Sequence, residues 1–200
     1  MHIRAPAIVC AVRSQGETGA IARLLTADHG LVAGYVAGAR GRQLRPVLIP
    51  GNLVDAELTG RPGSQLPSLR VELLESRGPW LSEPLPAAAI GWVTALTASA
   101  LPERHAYPVL HETLAALLEA TCVAPSARGW TLALLSYEVL LLRELGYGAL
   151  ARPEAEDWAG TLAAFDRVGP SLARYPLAER RGDVMAARAI LRDRLGRIGK

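Results

Sequence analysis

Three arginines, Arg40, Arg42 and Arg45, fall within six residues, and no acidic side chain stands among them. The stretch reads Gly38-Ala39-Arg40-Gly41-Arg42-Gln43-Leu44-Arg45, and its two glycines let the backbone approach a ligand closely. Guanidinium groups stay charged at any ordinary pH and present forked donors that match phosphate oxygens. A basic cluster of this kind suits the phosphate backbone of a nucleic acid. The alternative is a solvated loop that happens to be basic. Bond-making chemistry has weaker candidates. Ser136 with His105 has the residue types of a nucleophile and its base, but Ser136 lies in the most apolar stretch of the chain, where a serine back-bonded to its own helix is expected. His105 and His111 flank a proline and read as helix-entry residues. Asp55 and Glu57 share a strand face that reads as the solvent side. The motifs G-x-S-x-G, G-x-G-x-x-G, H-E-x-x-H and the Walker loop are absent. Cys10 and Cys122 lie far apart in apolar surroundings, and none of His2, His29, His105 and His111 has a metal-ligand spacing to them. Neither a disulfide, a bound metal nor a cofactor is expected.

The chain has 200 residues, enough for one large domain or two small ones, and 50% of them are apolar. The net charge of +3 is unevenly spread. Residues 1–78 hold nine Arg against six acids, residues 79–150 three Arg against six acids, and residues 151–200 ten cations against seven acids. Basic ends around an acidic middle imply different partners for different parts. The apolar run at 7–12 is too short for a signal peptide, and the tract at 130–145 contains Glu138, Arg143 and Glu144 and is too short and too charged to cross a bilayer. Free buried thiols fit a reducing compartment. A cytoplasmic protein with no membrane contact is expected.

Hydrophobic periodicity divides the chain near Gly78-Pro79-Trp80. Before it, residues 7–12 read as a strand. Runs at 20–26 and 31–37 form a hairpin around Ala27-Asp28-His29-Gly30, because Asp and His tolerate turns and Gly takes positive φ. Residues 53–58 and 68–76 alternate apolar with polar at period two. Five short strands with glycine-rich connections predict a small barrel such as the OB fold over residues 1–78. After the break the period lengthens to that of helices. Helices are expected at 86–101, 107–121, 130–145, 158–167 and 183–198, the last with Asp183 as N-cap and Val184, Ala187, Leu191, Leu195 and Ile198 inward. The helix at 130–145 is apolar nearly all round and should form the centre of an all-α bundle over 79–200, with Gly146 closing it. The expected class is thus α+β, a five-stranded OB barrel followed by a helical domain.

Specific motifs sharpen this plan. The stretch G-E-T-G-A-I-A-R-L-L-T-A-D-H-G-L-V-A-G-Y-V-A-G-A-R at 16–40 resembles the N-terminal signature of the RecO family of bacterial DNA repair proteins, which act as recombination mediators. R-P-V-L-I-P-G-N-L-V at 45–54 continues the likeness, and S-Y-E-V-L-L-L-R-E-L-G-Y-G at 136–148 is similar to the family's central helix. The chain departs from the pattern after L-G-Y-G. Many family members carry a cysteine-bearing insertion there, which binds zinc in some, whereas residues 149–157 read ALARPEAED. The chain looks like a shortened member without the metal lobe, which puts metal-dependent properties of the family in doubt for it.

The resemblance implies binding to single- and double-stranded DNA, annealing of complementary strands, cooperation with RecR and with single-strand binding protein, and help in loading RecA. None of this needs a catalytic residue. It carries phosphate contact onto Arg40, Arg42 and Arg45, with Arg23 second and Arg13 third. The basic terminal helix adds Arg188, Arg192 and Arg197. Single-strand binding protein is expected to engage the helical domain through its C-terminal tail, with one of Arg104, Arg128 and Arg143 anchoring the tail carboxylate beside an apolar groove. With Tyr35 the only aromatic residue before position 79, the barrel should read phosphates and ignore base identity. The competing readings are an OB-plus-helix adaptor that binds protein partners only, and a small hydrolase with an unrecognised site.

Overall fold

The structure is a computed structural model that describes residues 2–60, 66–148, 151, 153–178 and 184–198. The chain forms two compact units, one of Met1–Pro79 with Pro102–His111, the other of Trp80–Leu101 with Glu112–Lys200.

The first unit is built from β1 (His2–Gln15), β2 (Gly19–Thr26), β3 (Gly30–Val36), β4 (Leu53–Thr59) and β5 (Ser68–Glu75). They close into a barrel in the order β1-β2-β3-β5-β4. β1 runs at both ends beyond the expected 7–12, since its first half pairs with β4 and its second half with β2. The exchange of partners needs a bend, and a bulge at Cys10, between Val9 and Ala11, supplies it. Burial pushes the Cys10 thiol up to about 12. β3 and β5 meet in parallel through the single pair Tyr35 and Ser68. Alternate residues of each strand fill the interior: Ala7 and Val9, then Ala20, Ala22 and Leu24, then Val54, Ala56 and Leu58. The hairpin turn ends on Gly30 at φ +65°, as the sequence pattern required.

Residues 37–52, read from the sequence as a basic exit from the hairpin and a short irregular link at 47–49, form a plug for the barrel. Turns run from Arg45 N–H to the Gly41 carbonyl (3.0 Å) and from Leu48 N–H to the Leu44 carbonyl (3.0 Å). Ala39, Val47 and Leu48 enter the barrel core, and Leu44 packs against it. Residues 102–111 also pack on the barrel. Arg104, at φ +60°, donates its N–H to the Leu31 carbonyl (2.8 Å), and Gly30 leaves so little room that a Cβ there would lie 1.8 Å from the His105 carbonyl oxygen.

The second unit comprises α1 (Pro84–Ala100), most of α2 (Pro108–Val123), α3 (Thr131–Glu144), α4 (Trp158–Arg174) and α5 (Val184–Leu195). α3 is the buried helix that its composition predicts, with Leu134, Leu135, Tyr137, Leu141 and Leu142 inside. Ser136 bonds back to the Leu132 carbonyl (2.9 Å). Gly146, at φ +79°, receives the chain after α3, and Tyr147 N–H reaches the Leu142 carbonyl (2.9 Å), a helix end of the Schellman kind. α4 extends seven residues past the expected end at Arg167, because Pro170 removes one hydrogen bond without stopping a helix whose Phe165, Val168 and Leu172 are buried. The expected N-cap Asp183 lies outside the described residues. α5 buries Arg188 with Leu191 and Leu195, while Val184, Ala187 and Ile198 are half-exposed.

That inward arginine corrects the amphipathic reading of α5. Arg188 donates from Nε (2.9 Å) and Nη2 (2.7 Å) to the two carboxylate oxygens of Glu138, and from Nη2 to the Phe165 carbonyl (2.8 Å). Its guanidinium lies 3.8 Å from the Phe165 ring centre. Trp92 Nε1 donates to the same carboxylate at 2.7 Å. One ion pair thus joins α1, α3, α4 and α5. Gly169 makes room for it, since a Cβ there would lie 2.7 Å from Arg188 Nη1.

Candidate nucleic-acid interface

The plug decides where the arginine segment points. Its apolar residues are drawn into the barrel, so Arg40, Arg42 and Arg45 are left on the outside, all exposed. Asn52 holds it there. Its side chain is fully buried and donates to the carbonyls of Pro46 (2.9 Å) and Val47 (3.0 Å), while its Oδ1 accepts the Arg77 N–H (2.7 Å). The far end is tied to the β1–β2 turn, where Arg40 N–H donates to the Thr18 carbonyl (3.2 Å) and Arg40 Nη1 to the Glu17 carbonyl (3.2 Å). Both glycines are used in a turn: Gly38, at φ +66°, turns the chain, and Gly41 N–H closes on its carbonyl (2.8 Å).

Arg40 and Arg45 share the wall of one concavity of about 390 Å³, floored by Val12 and Ser14 of β1, Ala20 of β2, and Ala39 and Leu48 of the plug. Arg42 lies between them in the chain. Arg13 is exposed but sits between Val12 and Ser14, so strand alternation turns it to the opposite face of β1. Arg23 shares that outer face, as Ala11 is its partner in β1, and it pairs with Glu103 at 3.1 Å. Arg13, Arg40, Arg42 and Arg45 have no carboxylate partner among the described residues. The terminal-helix cations differ. Arg188 is 5% exposed and committed to Glu138, which removes it as a surface phosphate contact. Arg192 grips Asp166 with two bonds (2.7 and 2.8 Å), which holds the Asp166 carboxyl below its usual range, and Arg197 pairs with Asp193 at 2.5 Å.

Tyr35 is half-buried, its ring lying across Gly19, where a Cβ would come within 2.3 Å of the phenol oxygen. In the second unit an apolar pocket of about 310 Å³ is lined by Leu85, Pro86, Cys122, Pro125 and Trp130, with Glu83 at its edge. None of Arg104, Arg128 and Arg143 lines it. Arg104 belongs to the barrel unit, Arg128 lies over the Trp158 ring at 5.2 Å, and Arg143 stands 3.9 Å from Glu144. Among the described residues no group of three or more His, Cys, Asp or Glu side chains is placed to hold a metal ion, and no helix is long and apolar enough to cross a membrane.

The family described as recombination protein O, N terminal, matches residues 1–77, which cover all five strands and the plug. Its C-terminal counterpart matches residues 82–151. The chain belongs to the RecO family. Among its relatives, the DNA repair protein RecO of Ruegeria sp. (strain TM1040) is 40% identical over 149 residues, which are 74% of this chain and 61% of the relative. That of Rhodospirillum centenum is 41% identical over 143 residues, 71% of this chain and 56% of the relative. That of Jannaschia sp. (strain CCS1) is 32% identical over 215 aligned residues, 95% of this chain and 84% of the relative. The chain therefore spans less than two thirds of the first two relatives. The RecO signature at 16–40 is the hairpin plus the entry to the plug, and P-G-N at 50–52 is the clamp that closes it. Read from the sequence alone, that tripeptide only brackets the short irregular link at 47–49. The buried role of Asn52 depends on two carbonyls and an N–H that only the folded chain brings together.

Proposed function

We propose that the chain is a non-catalytic DNA-binding mediator of repair and recombination. It holds single- and double-stranded DNA by the phosphate backbone through Arg40, Arg42 and Arg45, brings complementary strands together, and with RecR helps RecA onto DNA coated by single-strand binding protein, in the cytoplasm and on the nucleoid. The observation that supports the DNA contact most is the contrast in charge pairing. On the terminal helix Arg188, Arg192 and Arg197 are spent on carboxylates and Arg194 donates to the Pro84 carbonyl, whereas the three plug arginines are exposed and have no carboxylate partner among the described residues. Unpaired cations beside a concavity raise the local concentration of polyanions, and each neutralised phosphate releases a counterion. The tail of single-strand binding protein is assigned to the helical unit. There the apolar pocket beside Trp130 has Arg128 next in the chain to its lining residue Ala127.

Titration of DNA affinity against potassium chloride tests the contact. Replacing Arg40, Arg42 and Arg45 by alanine should weaken binding to all sequences alike and flatten the log–log salt slope on duplex by about 2–3 units. Parallel lines for the two proteins would withdraw the assignment. A wild-type chain with no DNA affinity at low salt would favour the adaptor that binds proteins only.

A further inference from the structure

We propose that Tyr147 and Tyr175 form a stacking platform for the bases of single-stranded nucleic acid on the helical unit. Their rings lie 5.3 Å apart at 15°, a nearly parallel stack, and Arg174 lies 5.4 Å from the centre of the Tyr175 ring. Tyr147 is 42% exposed and Tyr175 41%, in a unit that hides Trp92, Trp130, Tyr137 and Phe165 almost completely. An aromatic pair kept in water while its neighbours are buried has faces to offer a ligand.

Backbone caps present both rings. Tyr147 sits between Gly146 at φ +79° and Gly148 at φ +97°, and its N–H is spent on the Leu142 carbonyl. Its side chain is therefore carried outward at the end of α3. Tyr175 caps α4 with its N–H on the Ser171 carbonyl (3.1 Å), and the following turn is anchored by buried Leu177, whose N–H reaches the Leu172 carbonyl (3.2 Å). Two helix ends meet side by side, each holding its ring by the main chain. Such a platform loses little entropy when a base joins it.

The ligand chemistry follows from three features. A parallel stack continues naturally into a further flat π system, and every nucleobase has such a face. Arg174 is exposed, and Arg167, seven residues earlier, is exposed on the same stripe of α4 about 10 Å away, so cations accompany the rings along the helix. The barrel lacks this part, because its Tyr35 is half-buried across Gly19. Stacking and charge are the two components of single-strand binding, and on the helical unit the tyrosines offer the first and Arg174 and Arg167 the second. Duplex DNA keeps its bases stacked inside, so the platform would favour single strands. The inference rests on the DNA-binding reading above but assigns a different site and a different selectivity.

The full chain, with Tyr147→Ala, Tyr175→Ala and the corresponding phenylalanine variants, would be titrated by fluorescence anisotropy. The probes are an oligothymidylate strand, an abasic strand of equal length and a duplex. Each alanine variant should lose about 5- to 100-fold in affinity for oligothymidylate and stay within about twofold on the abasic strand and the duplex. Phenylalanine, which keeps the stack, should match wild type. Should an alanine variant melt early, leucine at the same positions keeps the bulk without the π face and should show the same selective loss. An equal loss on base-bearing and abasic strands overturns the platform, as does no loss at all. So does competition for the tyrosines by a proline-rich peptide that leaves oligothymidylate bound. These outcomes leave the arginine contact standing, because duplex binding and its salt slope report on that separately. Failure of the wild type to bind any probe would remove both.

Discussion

Arg188→Ala should cost the helical unit about 3–5 kcal/mol at neutral pH, because it leaves a buried carboxylate without its counter-charge. The substitution deletes two charge-assisted hydrogen bonds to Glu138 and one to the Phe165 carbonyl, and it empties the space over the Phe165 ring. Among the described residues only Trp92 Nε1 then donates to the Glu138 carboxylate. Protonation limits the damage. Burial already pushes the Glu138 carboxyl up, with Arg188 and Trp92 pulling it back. Without Arg188 it rises further. A carboxyl whose folded pKa exceeds its unfolded one binds more protons in the folded state, so stability falls as pH rises from the ordinary carboxylate range to the raised value. The variant's deficit should therefore be smaller at pH 5 than at pH 7, with a slope of up to about 1.4 kcal/mol per pH unit inside the window. Urea titration followed by tryptophan fluorescence is the natural assay, since Trp80, Trp92, Trp130 and Trp158 all belong to the helical unit. Replacing Arg188 and Glu138 together by leucine should recover most of the loss, as apolar replacements of buried ion pairs do. A loss below about 1 kcal/mol, the value of an exposed ion pair, would refute the reasoning, as would a deficit equal at both pH values.

Asn52→Ala leaves the Pro46 and Val47 carbonyls and the Arg77 N–H without their side-chain partner. It should destabilise the barrel unit by about 2–4 kcal/mol, measured by far-ultraviolet circular dichroism, and a silent substitution would mean that the plug holds itself. Gly30→Ala forces a Cβ into the His105 carbonyl and a non-glycine residue into φ +65°. It should detach residues 102–111 from the barrel and open them to limited proteolysis, whereas an unchanged cleavage pattern would show that the segment is held elsewhere.

The barrel and the central helix are legible in the sequence because their signals are local. Period-two alternation at 53–58, the turn residues at 27–30 and the unbroken apolarity of 130–145 each come from neighbours in the chain. The basic segment at 40–45 is legible for the same reason. What needed the tertiary structure was the destination of residues whose partners are distant. Arg188 reads as one of three phosphate-contact arginines on a basic helix, and only the meeting of α1, α3, α4 and α5 turns it inward onto a carboxylate fifty positions away. Residues 37–52 read as a loop because their apolar positions follow no simple period, yet closing the barrel leaves an opening that Ala39, Val47 and Leu48 fill. Tyr147 and Tyr175 stand twenty-eight positions apart without a shared motif, and the ends of two helices make them neighbours. A sequence states the preference of each segment for water or for the interior. A charge can be buried, or a ring left in water, only when the rest of the chain supplies the partner or the shape that permits it.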